Sequence, residues 1–189
     1  MSVGQPLPLS NTTIKESTSS GVVRFLLGDS NDYRISWCRD SVFQISTKGY
    51  PLINGEPLTV VDVLEKYVVL SQDCGQKNKY AVLLPRKNAH PEMVFENVVG
   101  YDDVNKNLIL ISKGNEKRSI NVIIFNLVTE CRQEYQLQKP CSATNSIECI
   151  ADVKYELGQI TISYYGDDDN TIQTERIRLS TKEYDNGIH

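Results

Sequence analysis

An all-β fold is predicted, as a small irregular propeller-like stack of antiparallel hairpin repeats, and three observations lead to it. β-branched and aromatic residues dominate the apolar runs, as a half-buried pleated surface favours. Helical spacing is nearly absent: Leu58–Leu70 contains helix formers around Leu64-Glu65-Lys66, but the β-branched pairs Val60-Val61 and Val68-Val69 oppose a helix. Third, one unit recurs: Asp-Val, an apolar strand ending in Ser, a polar loop, and a second apolar strand. Its copies begin at Asp62-Val63, Asp103-Val104 and Asp152-Val153, and Ser71, Ser112 and Ser163 follow each Asp by nine, nine and eleven positions. A period of about forty to fifty residues is the spacing of stacked blades.

The elements follow in order. Gly21–Leu27 and Tyr33–Trp37 flank the turn formers Gly28-Asp29-Ser30-Asn31-Asp32 and read as a hairpin. Val42–Ile45 is a further strand, and Gly49–Gly55, with Pro51 and Asn54-Gly55, a turn. The first copy supplies strands Val60–Val63, Tyr67–Ser71 and Tyr80–Leu84. Pro85 ends the last of these, because proline cannot donate to a ladder. Met93–Val99 returns as an outer strand. The second copy has Leu108–Ser112, the loop Lys113–Ser119, Ile120–Leu127 and Cys131–Leu137. The third has Ile150–Val153, Ile160–Tyr164, the loop Gly166–Asn170 and Thr171–Leu179. About four hairpin or blade units then fill one β domain, 21–180, between a flexible tether, 1–20, and a polar tail, 181–189.

A chain of 189 residues, 40% hydrophobic and 23% charged, describes a globular protein able to bury a core. A net charge of −4 argues against a nucleic-acid surface, which needs a basic excess to release counterions. No apolar run approaches the roughly 18–20 residues that span a bilayer. Ser2–Ser20 has no continuous apolar stretch and so does not read as a leader peptide. Ser17-Thr18-Ser19-Ser20, after Pro6 and Pro8, has the composition of a tether of the kind that follows a removed leader or lipid anchor.

Five cysteines, Cys38, Cys74, Cys131, Cys141 and Cys149, lean toward an oxidising compartment. Cys141 and Cys149 flank the polar loop Ser142–Glu148, which a disulfide would close; buried thiols are the other reading. With only His90 and His189 and no Cys-x-x-Cys pair, neither a zinc site nor any cofactor is expected.

Nothing in the chain assembles catalytic chemistry. His90 sits in a turn, Asn88-Ala89-His90-Pro91, and His189 is the last residue, so neither reads as a base poised by a carboxylate. Glycine-rich phosphate loops and Gly-x-Ser-x-Gly elbows are missing. Two loops are candidates for binding. Lys113-Gly114-Asn115-Glu116-Lys117-Arg118-Ser119 is long enough to reach into a cleft. Asp167-Asp168-Asp169-Asn170 is a dense set of oxygen ligands without EF-hand spacing, and reads as an acidic hairpin tip that would meet a basic partner patch, with Tyr164 and Tyr165 beside it.

The segment Asn107–Leu137, with its strand Leu108–Ser112, Gly- and Ser-containing loop, strand Ile120–Asn126, turn and Cys131, resembles immunity proteins that neutralise type VI secretion amidases. The resemblance implies a small distorted propeller of periplasmic location. It also implies a protein partner, a secreted effector enzyme whose active cleft and catalytic cysteine are blocked by a hairpin loop. Lys113–Ser119 would be that loop, with Gly114 and Ser119 at its small-residue positions and added charge at Glu116, Lys117 and Arg118.

The expected function is therefore a non-catalytic inhibitor that occludes a toxic cell-wall-degrading enzyme through Lys113, Gly114, Asn115, Ser119, Tyr165, Asp167 and Asp168. A carbohydrate-binding or carbohydrate-cleaving module would instead need aromatic platforms, for which Trp37, Tyr164 and Tyr165 are the candidates. A structural cell-surface lipoprotein would need its tether to space the domain from a membrane.

Overall fold

The computed structural model describes residues 14–16, 23–28, 32–53, 55–73, 79–87, 90–114, 119–138, 140–141, 146–167 and 171–179. Among them the chain is all-β, with fifteen strands and a single 3-10 turn at Ser146–Cys149. The strands are β1 (Ile14–Glu16), β2 (Val23–Leu27), β3 (Asp32–Arg39), β4 (Val42–Ile45), β5 (Tyr50–Pro51), β6 (Thr59–Val63), β7 (Tyr67–Asp73) and β8 (Lys79–Pro85). They continue as β9 (Met93–Asp102), β10 (Asn107–Lys113), β11 (Ile120–Asn126), β12 (Arg132–Gln136), β13 (Ile150–Glu156), β14 (Gln159–Tyr165) and β15 (Ile172–Arg178). Three sheets result, ordered β1-β2-β3-β4 with β5 also on β3, β12-β11-β10-β9-β8-β7-β6, and β13-β14-β15. No helix among the described residues is long and apolar enough to cross a membrane.

Where one β domain was expected, the chain divides into two compact units, Met1–Gln72 with Ala81–Val94, and Asp73–Tyr80 with Phe95–His189. The expected tether is also partly structured. Ile14–Glu16 is a strand in register with β2, Ile14 opposite Leu26 and Glu16 opposite Arg24. A composition too polar to form a core can still add to a sheet edge, because that pairing uses backbone groups. The polar tail, 181–189, lies outside the described residues.

In the first unit, alternation along β2 and β3 sends Val23, Phe25, Tyr33, Ile35 and Trp37 to one buried face. Phe25 meets Tyr33 edge-on at 5.6 Å between ring centroids, and the Tyr33 hydroxyl accepts a 2.8 Å bond from the Leu58 amide. The Trp37 Nε1 donates to the Pro85 carbonyl at 2.8 Å, so the residue that ends β8 also satisfies a buried indole. Glu92 is buried, and its Oε1 accepts from the Thr47 amide and hydroxyl, both at 2.7 Å. That carboxylate fixes the bend that follows β4.

The β3–β4 hairpin turns through only Asp40 and Ser41, since Arg39 pairs with Val42. Both turn residues have positive φ, 46° and 67°. A two-residue hairpin of this type favours glycine, because a Cβ in the left-handed region crowds the following carbonyl. Ser41→Gly is accordingly expected to stabilise the protein by about 1 kcal/mol, measured as a raised denaturation midpoint with an unchanged slope.

The three recurring segments are meanders: β6-β7-β8, β9-β10-β11 and β13-β14-β15. Their Asp-Val pairs are not equivalent, however. Asp62 and Asp152 lie inside strands, whereas Asp103 lies in the turn after β9. What the copies share is a register shift in the first strand, between Val60 and Asp62, between Val98 and Gly100, and between Ile150 and Asp152. Each shift leaves one extra residue on that strand, the signature of a β-bulge. Bulges depend on pairing across the sheet, which a dipeptide pattern does not encode.

The second unit packs around Ile109, Ile111, Val122, Ile124, Ile147, Ile160, Ile162, Tyr164 and Ile177. β14 alternates strictly between buried and half-buried positions, so one of its faces meets this core. β10 is buried continuously from Asn107 to Ile111, as suits a strand paired on both sides and covered on both faces.

Candidate functional site: two hairpin ends joined by a disulfide-closed strap

Two hairpins of the second unit close in the same way. After β10, the Gly114 amide donates to the Ser119 carbonyl at 2.8 Å; after β14, the Gly166 amide donates to the Thr171 carbonyl at 2.7 Å. The first closure needs glycine, while at the second a Cβ would meet only the flexible end of a glutamine side chain. A Cβ on Gly114 would lie 2.0 Å from Ser119 Oγ, and one on Gly166 would lie 2.8 Å from Gln173 Nε2. The shared sequence is Gly, four polar residues, Ser or Thr, then Ile: Gly114 to Ile120, and Gly166 to Ile172. This spacing is a second internal repeat, and it marks loop bases where the Asp-Val pattern marks only neighbouring strands.

A short strap brings the two ends together. The Leu137 amide donates to the Ile120 carbonyl at 2.9 Å, and the Cys141 amide donates to the Tyr165 carbonyl at 2.8 Å. Four residues of fully extended chain span at most about 14 Å, so with those two hydrogen bonds the loop bases stand within about 20 Å of each other. Pro140 forms an isolated antiparallel bridge with Gly166. Cys141 is bonded to Cys149, with 5.5 Å between the Cα atoms, and both cysteines are buried in the core of the unit.

Tyr164 fastens the middle of the strap. Its hydroxyl donates to Glu175 Oε1 at 2.6 Å and is also 2.9 Å from the Gln138 carbonyl, and the same Glu175 oxygen accepts from the Gln138 amide at 2.9 Å. Burial first, and then the Glu175 carboxylate, push the Tyr164 phenol well above its ordinary range, so it remains a donor at all physiological pH. Loss of the disulfide through a Cys141→Ser, Cys149→Ser double substitution is expected to cost about 2.5 kcal/mol, the loop-closure value for a ring of this size. Chemical denaturation checks the cost, and hydrogen exchange at Leu137 and Cys141 reports whether the strap detaches.

The structure separates the expected site residues into distinct roles. Lys113 and Asp167 are exposed, one beside each loop base, and Tyr165 is half-buried and packs against the core of the unit. Gly114 and Ser119 form the base of their loop; Ser119 is buried, facing the glycine, and is no part of a protruding tip. Asn115 and Asp168 lie outside the described residues. The two loops have opposite charge: Asn115-Glu116-Lys117-Arg118, beside Lys113, is net positive, and Asp167-Asp168-Asp169-Asn170 is strongly negative.

Of the three aromatic residues named for a carbohydrate platform, two are buried and Tyr165 is half-buried. Trp37 is 2% exposed and Tyr164 1% exposed, each with its polar atom bonded inward. An aromatic residue on the inner face of a sheet contributes to core packing and has no ring face to offer a sugar. Sequence reading missed Gln138 and Glu175, because their joint role depends on a contact between residues 37 positions apart. The cysteine spacing was the one signal for the strap.

Among the described residues, no group of three or more His, Cys, Asp or Glu side chains could hold a metal ion. Comparison with protein-family models, with curated proteins and with solved structures finds no match to this chain.

Proposed function

We propose that this protein is a non-catalytic inhibitor of the immunity type, which binds a toxic cell-wall-degrading amidase and occludes its active cleft. The observation that carries the reading is the convergence of the Lys113 and Asp167 hairpin ends on one strap. Loop bases pinned by backbone hydrogen bonds present their two ends from fixed positions, which favours tight, stoichiometric association. Loops of opposite charge would orient a partner that carries the complementary pair. The disulfide supports the proposed periplasmic location, since such bonds persist in oxidising compartments. The up-and-down antiparallel meanders support the hairpin-repeat part of the proposed propeller-like reading.

Affinity capture from the source cells, with the purified protein as bait, tests the reading. The expected result is one hydrolase at equal stoichiometry whose activity is lost in the complex. Lys113→Ala combined with Asp167→Ala is expected to weaken that complex about a hundredfold, as removal of two interfacial charges can. Ser119→Tyr is a poor probe, because it would wedge open the loop base. Undiminished affinity of the Lys113, Asp167 double variant would remove this end from the interface, and recovery of no hydrolase would remove the inhibitor reading itself.

A further inference from the structure

The two hairpin ends of the second unit form a self-complementary pair, and we infer that they associate with the same ends of a second copy of this chain, in a weak two-fold dimer that covers them. Lys113 and Asp167 are both exposed, and neither side chain has an ion pair or hydrogen bond among the described residues. Each stands next to a base that a backbone bond closes, Gly114 to Ser119 at 2.8 Å and Gly166 to Thr171 at 2.7 Å. The neighbouring sequence reinforces each sign. Lys117 and Arg118 outnumber Glu116 after Lys113, while Asp168 and Asp169 follow Asp167.

This charge pattern selects the occupant. One cationic and one anionic end, on bases within about 20 Å of each other, call for a partner with the opposite order at the same separation. An unrelated protein meets that demand only by chance, whereas a second copy meets it by identity. A two-fold axis running between the ends, in the plane of the interface, sets each Lys113 end against the other copy's Asp167 end. Both contacts are then the same contact, so all four ends are neutralised at once and the assembly closes at two copies. Ile172 adds an apolar spot beside the acidic end, being 57% exposed and opposite half-buried Tyr165 in the β14–β15 register.

Two opposing effects make the dimer weak. Two hairpin ends cover far less than the roughly 800 Å² per partner of a standard stable interface. Each copy also carries a net charge of −4. That general repulsion is screened over a Debye length of about 8 Å at physiological ionic strength, while the touching ends still attract. Association of this kind is reversible and follows concentration. It occupies the same ends that are proposed to hold the enzyme, so concentrated protein would be self-masked and dilution would free it. That consequence rests on the inhibitor reading; the pairing itself does not.

Sedimentation equilibrium of the full chain, up to millimolar concentration, tests the pairing. Dimerisation is expected, about tenfold weaker in 0.5 M salt than in 0.05 M salt. Lys113→Glu with Lys117→Glu makes both ends acidic, and Asp167→Lys with Asp168→Lys makes both basic. Each double variant alone is expected to stay monomeric, and an equimolar mixture of the two to form a heterodimer at least as tight as the wild-type dimer. Misfolded variants could not give that recovery. Carbodiimide coupling of mixed isotope-labelled and unlabelled wild type is expected to join Lys113 of one copy to Asp167 of the other. A wild-type chain that stays monomeric at millimolar concentration, undiminished dimerisation of either variant, a mixture that stays monomeric, or cross-links confined to other surfaces would each overturn the proposal. No hydrolase enters the assay, so its failure leaves the inhibitor reading standing, and failure to capture a hydrolase leaves the dimer standing.

Discussion

Asp102→Ala is expected to destabilise the second unit by about 4 kcal/mol, because a buried carboxylate that organises the turn after β9 loses its hydrogen bonds. Asp102 is fully buried at the end of β9. Its Oδ1 accepts from the amides of Val104 at 3.2 Å and Asn105 at 3.1 Å, and its Oδ2 accepts from the side-chain amides of Asn105 at 2.7 Å and Asn107 at 3.4 Å. Asn126 at the end of β11 repeats the arrangement. Its Oδ1 accepts from the amides of Val128 and Thr129, and its Nδ2 donates to the Asn105 carbonyl and to Asn107 Oδ1, both at 2.9 Å.

Each turn ends on a residue of positive φ, Lys106 at 56° and Glu130 at 60°, so the side-chain caps hold the backbone where it is strained. The alanine variant leaves four donors without their acceptor. For a chain of this size the cost corresponds to a fall in melting temperature of about 12 °C. Asp102→Asn separates charge from geometry. It keeps an acceptor for the two backbone amides but turns an NH₂ group toward the Asn105 and Asn107 donors, so about half the loss is expected. Thermal unfolding measures both, and equal melting temperatures for wild type and alanine variant would remove Asp102 from this role.

Gly100→Ala carries the second large expected effect, a loss of about 3 kcal/mol from overpacking. A Cβ at position 100 would stand 1.4 Å from the Tyr155 hydroxyl oxygen and 2.8 Å from its ring carbon, so the whole phenol must move. The glycine sits beside the bulge in β9, where a strand commonly gives up its side chain to admit another group. Tyr155→Phe removes the worst contact but leaves the ring carbon at 2.8 Å, so it is expected to restore part of the stability of Gly100→Ala, while alone it costs little. Failure of that rescue in denaturant titrations would place the strain elsewhere.

The same phenol predicts an alkaline limb. Burial, followed by the charges of Asp102 and Asp152, pushes the Tyr155 pKa up to about 12. A pKa raised by folding means stability that is complete below the unfolded value near 10 and is lost as pH climbs toward 12. Tyr155→Phe should make the fall in melting temperature over that window shallower.

Much of the fold was legible in the chain because it is local. Val42–Ile45 was read with the bounds it has, and the β10–β11 and β14–β15 hairpins were placed to within a residue or two, since β-branched runs bounded by turn formers are a property of neighbouring residues. The loops at Lys113 and Asp167 were legible for the same reason. Their convergence was not, because it rests on Leu137 reaching Ile120 and Cys141 reaching Tyr165, contacts between residues distant in sequence. The role of Asp102 was hidden one position away. The recurring Asp-Val drew attention to exposed Asp103, and only the phase of the β9 pleat decides which of two adjacent aspartates points inward.

The amino-acid sequence by itself determined an all-β antiparallel chain and its hairpin loops, and it offered a Cys141–Cys149 disulfide as one of two readings. Tertiary structure alone decided the two compact units, the bulges that shift each meander, and the burial of Trp37 and Tyr164. The physical reason is that strand formation needs only local backbone preference and alternation. Burial and register are settled by which distant strand supplies the opposite half of each hydrogen bond and each apolar contact.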